Sequence, residues 1–141
     1  MEIDQLMQIY LSNEETYESG ETIIEEGTQG DWVYIILEGQ VKVTKRTEAG
    51  IVTIDTLKKD AIFGEMALFG KAQAERSASV TATGGAVKVG VLDFQQLLKD
   101  YESILPALKS LITSLIRRLK ETNDKVASLV VAANQKGHGT K

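Results

Sequence analysis

The stretch Phe63-Gly64-Glu65-Met66-Ala67-Leu68-Phe69, followed after Gly70 to Glu75 by Arg76-Ser77-Ala78-Ser79-Val80, decides how the rest of the chain is read. A glycine leading into a short apolar turn of helix points several free backbone N–H groups one way, and a helix start of that kind receives anions. An arginine brought back beside it presents a planar fork that takes phosphate oxygens in pairs, each charge-assisted bond contributing roughly 1.5–3 kcal/mol. Glu65 would repel phosphate, but its carboxylate accepts hydrogen bonds from a sugar hydroxyl. The combination asks for a ligand that holds a phosphate and a ribose close together. Judged on charge alone, Glu65 and Arg76 equally describe a salt bridge flanking a loop.

Outward from this segment, the chain breaks into short runs rich in Val, Ile and Thr: Thr22 to Ile24, Trp32 to Leu37, Val41 to Thr44, Ile51 to Leu57, Val80 to Thr83 and Ala86 to Leu92. Such residues pack well on a pleated surface. Val87, Val89 and Val91 alternate with Lys88 and Gly90, the pattern of a half-buried strand. Gly27, Gly30, Gly39 and Gly50 mark turns, and the Gly84-Gly85 pair predicts a hairpin because glycine accepts positive φ. Six or more closely spaced strands point to a mainly β fold with flanking helices, a sandwich or roll.

Helical spacing frames the strands. Ile3, Leu6, Met7 and Tyr10 fall at i, i+3, i+4 and i+7, which predicts a short amphipathic leading helix. Asp93 can cap a helix running through Phe94, Leu97, Leu98 and Tyr101, and the single proline, Pro106, stands where another helix can begin. From there to Ala133 nothing breaks a helix. Positions 105, 108, 112, 115, 119, 122, 126, 129 and 133 step by threes and fours as a heptad seam, holding Leu, Leu, Ile, Leu, Leu, Thr, Val, Leu and Ala. Such a seam packs either along its own β-domain or, as a coiled coil, against a second copy of itself, and its narrowness favours a homodimer. The chain is expected to divide into a β-roll with leading and hinge helices over 1–105, a dimerisation helix over 106–133 and a polar, disordered tail over 134–141.

Composition narrows the chemistry. At 141 residues, 43% hydrophobic and 26% charged, the chain can bury one substantial core. It contains no cysteine, and its only histidine is His138, near the end. Disulfides, His/Cys zinc sites and histidine-based nucleophilic constellations are therefore excluded within the chain, so no metal, no cofactor and no enzymatic activity are expected. Residues 1–41 carry ten carboxylates and no Lys or Arg, whereas residues 42–141 carry sixteen bases against ten acids. That asymmetry argues against a broad nucleic-acid surface. No apolar run reads as a signal peptide or membrane span, so a cytoplasmic protein with no membrane partner is expected.

FGEMALF…RSASV resembles the phosphate-binding cassette of the cyclic nucleotide-binding domain family, roughly FGE-apolar-A-apolar followed by R-[ST]-A. Gly27, Gly30-Asp31, Tyr34 and Glu38-Gly39 also resemble that family's strand-turn pattern, and the likeness extends over about residues 10–133. The resemblance implies an antiparallel β-roll or jelly roll with an inserted phosphate-binding helix and a long C-terminal helix, in which Glu65 accepts from the ribose 2′-hydroxyl and Arg76 pairs with the exocyclic oxygens of a cyclic phosphate. Gly64, Met66 and Ala67 would lend backbone groups, and Ser77 and Ala78 would complete the cradle. Eleven positions separate Glu65 from Arg76, one or two more than in familiar members, so the Gly70 to Glu75 loop is extended.

Arg117 to Val126 is similar to the dimerisation helix of the family's bacterial catabolite-activator branch, which implies that Thr122 contacts the base within its own subunit while Asn123 reaches the dimer partner's site. Thr122 favours cyclic AMP, although Ser77 resembles the hydroxyl residue of cyclic-GMP-selective members. Only eight residues follow Ala133, so no recognition helix and no direct DNA binding are expected. The implied function is a cyclic-nucleotide sensor whose conformational change acts on an unidentified downstream protein. The alternative is a β-roll interaction module that has lost its ligand.

Overall fold

The computed structural model describes residues 3–28, 30, 32–65 and 78–139, with the side chains of the last helix described as far as Ala133. Helix α1 spans Ile3–Tyr10 and buries Leu6. Among the described residues six strands follow: β1 Leu11–Tyr17, β2 Thr22–Ile24, β3 Val33–Thr47, β4 Gly50–Leu57, β5 Ile62–Phe63 and β6 Ser79–Leu92. Helices α2, Phe94–Glu102, and α3, Pro106–Gly139, complete the chain. The strands form one antiparallel sheet ordered β1-β6-β3-β4, with β2 joined to β6 and β5 to β3.

The mainly β architecture with flanking helices agrees with the sequence pattern, but its connectivity differs in two places. The runs before and after Gly39 are one strand, β3, whose pairing with β6 shifts register between Ile36 and Glu38 and again between Glu38 and Gln40. The Gly84-Gly85 pair likewise makes no hairpin. Gln40 pairs with Thr83 and Glu38 with Lys88, so residues 84–87 bow out opposite Gly39 and β6 continues past them. Both halves of β6 find their partner in β3 rather than in each other, and the two glycines, at φ +74° and +133°, absorb the bend. Strand β1, the polar run Leu-Ser-Asn-Glu-Glu-Thr-Tyr, carries no apolar alternation and was invisible to the hydrophobic pattern.

Folding β3 and β6 together produces a roll with two apolar clusters. Inside it lie Tyr34, Ile36, Val41, Phe63, Val80, Val87, Val89 and Val91 among others. On the outside of the same strands, Leu6, Val33, Ile35 and Leu92 pack with Ile3, Tyr10, Phe94 and Leu97 from α1 and α2. Gly90, expected to face solvent, is buried, with the side chains of Leu11, Ile35 and Leu37 closing over it.

The helix termini follow local chemistry. Asp93 caps α2 by accepting from the Gln96 amide at 3.1 Å. The Tyr10 hydroxyl donates to Asp100 at 2.6 Å, fastening α1 to α2. Pro106 occupies the first position of α3, where its missing N–H costs nothing. The helix runs on to Gly139, beyond the boundary expected at 133 and into the segment expected to be disordered; no proline interrupts residues 134–139.

Candidate functional site

Phe63 is almost completely buried and stacks on Tyr34, with ring centroids 5.1 Å apart and planes 15° from parallel. That stack fixes where the chain leaves the roll. Gly64 follows at φ +80°, in the left-handed region where a side chain would clash with its own backbone, and so turns the chain out of β5. Glu65 is half-buried at the turn, and both residues are engaged in interactions of their own.

The chain is described again at Ala78, which is half-buried, and enters β6 at Ser79, paired with Thr44 of β3. Val80 belongs to the same core cluster as Phe63. Gly64, Glu65 and Ala78 therefore stand where the chain leaves one core and where it returns to it. Met66, Ala67, Arg76 and Ser77 lie outside the described residues.

Ser79 is held from a second side, because its hydroxyl accepts from the Glu26 amide at 2.8 Å. One carboxylate oxygen of Glu26 accepts from the Arg46 amide at 2.7 Å, and the other stands 3.6 Å from the Lys45 ammonium. Lys45 also pairs with Asp124 of α3 at 3.3 Å. These contacts bring the middle of α3 to the part of the roll where the chain enters β6 at Ser79.

The two sides of α3 differ. Ala127 is 3% exposed against the roll, and Asn123, one turn earlier on the same side, is half-buried. Thr122 is exposed, and its hydroxyl donates back to the Arg118 carbonyl at 2.8 Å. Leu105, Leu108, Leu115, Leu119 and Leu129 of the heptad seam are all exposed, together with Leu111. An open cleft beside the Lys45–Asp124 pair is lined by Asp124, Lys125, Ser128 and Leu129.

Sequence reasoning missed Lys45, Glu26 and Ser79 as a group. Their spacing of 19 and 34 positions carries no local pattern, and only strand register brings them together. Two tyrosines are perturbed. Burial, reinforced by the hydrogen bond to Glu15 at 2.8 Å, pushes the Tyr17 hydroxyl far above the usual tyrosine range. The hydrogen bond to Asp100 raises that of Tyr10. Among the described residues no cluster of His, Asp and Glu is arranged to hold a metal ion, and no helix is long and apolar enough to cross a membrane.

A roll that the chain leaves at Gly64-Glu65 and rejoins at Ala78, followed by α2 and the long helix α3, defines the class. Residues 14–102 match the family model of the cyclic nucleotide-binding domain, and the chain belongs to that family. It is 42% identical over 104 residues to the cAMP-dependent protein kinase type II regulatory subunit of Drosophila melanogaster, covering 64% of this chain and 27% of that protein. To the CRP-like cAMP-activated global transcriptional regulator of Mycobacterium tuberculosis it is 30% identical over 112 residues, covering 79% of this chain and 49% of the regulator. The chain thus spans half or less of these relatives. An EAL enzyme solved in a cAMP-bound form superposes with a TM-score of 0.72 at 29% identity, over 89% of this chain and 33% of the enzyme.

Proposed function

We propose that this chain is a non-enzymatic, cytoplasmic sensor module that binds a cyclic nucleotide, cyclic AMP in preference to cyclic GMP, and passes a change in the position of α3 to a downstream protein. The observation that carries the reading is where the segment between Phe63 and Val80 leaves and rejoins the roll. The segment bears Gly64-Glu65 at its exit and Arg76-Ser77-Ala78 at its return, and both ends rise from one core cluster. Glu65 takes the ribose hydroxyl and Arg76 the phosphate oxygens, with Gly64, Met66, Ala67, Ser77 and Ala78 completing the cradle. Cyclic AMP is favoured by the names of the two relatives above, whereas the EAL enzyme, solved with cGMP as well as with cAMP, does not distinguish the two.

The sidedness of α3 supports a changed assignment at the base. Asn123 shares the roll-facing side with Ala127, so Asn123 stands to meet the base within its own subunit. Thr122, on the exposed side, turns toward a second copy. That copy would cover the stripe Leu105, Leu108, Leu115, Leu119 and Leu129, making the module a parallel homodimer.

Isothermal titration with cyclic AMP and cyclic GMP, after denaturing and refolding to strip carried ligand, tests the proposal. Micromolar binding, about −8 kcal/mol, is expected, with Arg76→Leu at least tenfold weaker. Absence of heat with either nucleotide would favour the interaction module that has lost its ligand, a reading to which the extended Gly70 to Glu75 loop lends weight.

A further inference from the structure

A path of charged and polar groups runs from the strand that follows the cassette to α3. It starts at Ser79, the residue after Arg76-Ser77-Ala78, whose hydroxyl accepts from the Glu26 amide at 2.8 Å. Glu26 is braced by the Arg46 amide at 2.7 Å and faces Lys45 at 3.6 Å, and Lys45 faces Asp124 at 3.3 Å. The side chains of Lys45 and Glu26 are only 20% and 22% exposed, while Asp124 is 52% exposed.

The ammonium is thus held ready by the roll, and the helix supplies the carboxylate that docks on it. Because Lys45 and Glu26 are already positioned, little side-chain freedom remains to be lost on docking, which distinguishes this network from an isolated surface pair. The remaining hold on the helix is slight, since Ala127 is its only buried side chain among the described residues.

We infer that Glu26, Lys45 and Asp124 form an electrostatic latch that fastens α3 to the roll and couples its docking to occupancy of the cassette. The coupling rests on the cyclic-nucleotide reading above. Phosphate seated against Arg76-Ser77-Ala78 steadies Ser79, and Ser79 steadies Glu26 and Lys45 in the geometry that receives Asp124. By reciprocity, the factor by which the ligand favours the docked helix is the factor by which docking favours the ligand, so loosening the helix weakens the ligand by at most that factor. An ion pair of which one partner is half exposed shifts such an equilibrium about two- to fivefold and is weakened by salt.

The full chain contains no cysteine, so Lys59→Cys with Glu121→Cys places one spin label on the roll and one on α3. Spin-diluted chains report the intramolecular distance even within a dimer. The expected result is a single short distance in 0.15 M salt that broadens in 1 M salt. It should also broaden at low salt in Lys45→Met and Asp124→Asn, each binding cyclic AMP two- to fivefold more weakly. Asp124→Glu should restore both readouts, which a merely steric role for Asp124 would not predict.

Distances and affinity in Lys45→Met equal to those of the parent would overturn the latch, as would failure of Asp124→Glu to differ from Asp124→Asn. If the parent chain binds neither nucleotide, the functional reading and the coupling both fall. The distances alone then decide whether the three charges dock the helix.

Discussion

Replacing Gly39 by alanine tests the feature on which the roll depends, the place where β3 turns while β6 bows out opposite it. Gly39 has φ +86°, and a Cβ added there would lie 2.7 Å from the Ala86 carbonyl oxygen, 3.1 Å from Val87 Cγ2 and 3.2 Å from Val87 Cα. Two costs follow. An L-residue in the left-handed region costs roughly 1–2 kcal/mol. Forcing an atom into packed backbone costs roughly 1–3 kcal/mol more, because Val87 is fully buried and an Ala86 carbonyl cannot swing aside as a side-chain end would.

Gly20 provides the control, with φ +93° and nothing within 4 Å of an added Cβ, so Gly20→Ala should show the backbone cost alone. Urea unfolding of both variants at one fixed chain concentration separates the two contributions. With a slope of roughly 1–3 kcal/mol per molar urea, the midpoint of Gly39→Ala should fall about 1 M below that of Gly20→Ala. Equal midpoints would show that residues 84–87 do not press on Gly39, and the account of the bend would fail.

Two further outcomes are expected. Leu115→Lys puts a charge into the proposed seam at a side chain 53% exposed in the single chain, so sedimentation should show dissociation with the fold retained; an unchanged dimer would place the interface elsewhere. In alkali, the folded chain holds the Tyr17 proton more tightly than the unfolded chain does. Stability from this group is therefore complete below about pH 10 and is lost as pH rises toward the higher folded value. Urea midpoints between pH 9 and 12 should fall less steeply in Tyr17→Phe than in the parent, with Tyr10 leaving some slope in both. Identical slopes would contradict the assignment to Tyr17.

The parts of the fold legible in the sequence were those that a local pattern specifies. Val87, Val89 and Val91 announce an inward face, Asp93 a cap and Pro106 a helix start, and each depends only on neighbours. Illegible parts were those decided by partners far along the chain. Gly84-Gly85 reads as a hairpin until β3 is seen to pair with the residues on both sides of it. The burial of Gly90 depends on Leu11 of β1 and on Ile35 and Leu37 of β3, which only strand pairing brings over it. Glu65 and Gly64 could be named as site residues because the cassette is contiguous in sequence, whereas Lys45 and Asp124 meet only through tertiary packing.

The weakness of the hold on α3 is itself an argument for the proposed mechanism. A helix anchored by several buried leucines would forfeit roughly 1.5–3 kcal/mol for each on leaving the roll, enough to fix it in one position whatever the ligand did. Here the leucines face outward, and the roll side offers Ala127, half-buried neighbours and one ion pair. Docked and undocked positions are then separated by an energy that a ligand contacting only one of them can overcome. A ligand shifts such an equilibrium only by its difference in affinity for the two states, so a few kcal/mol of preference suffices where the intrinsic bias is small. The exposed leucine stripe makes the same helix the surface a second copy can read, so a movement set at Asp124 reaches Leu115 and Leu119 along a single rigid element.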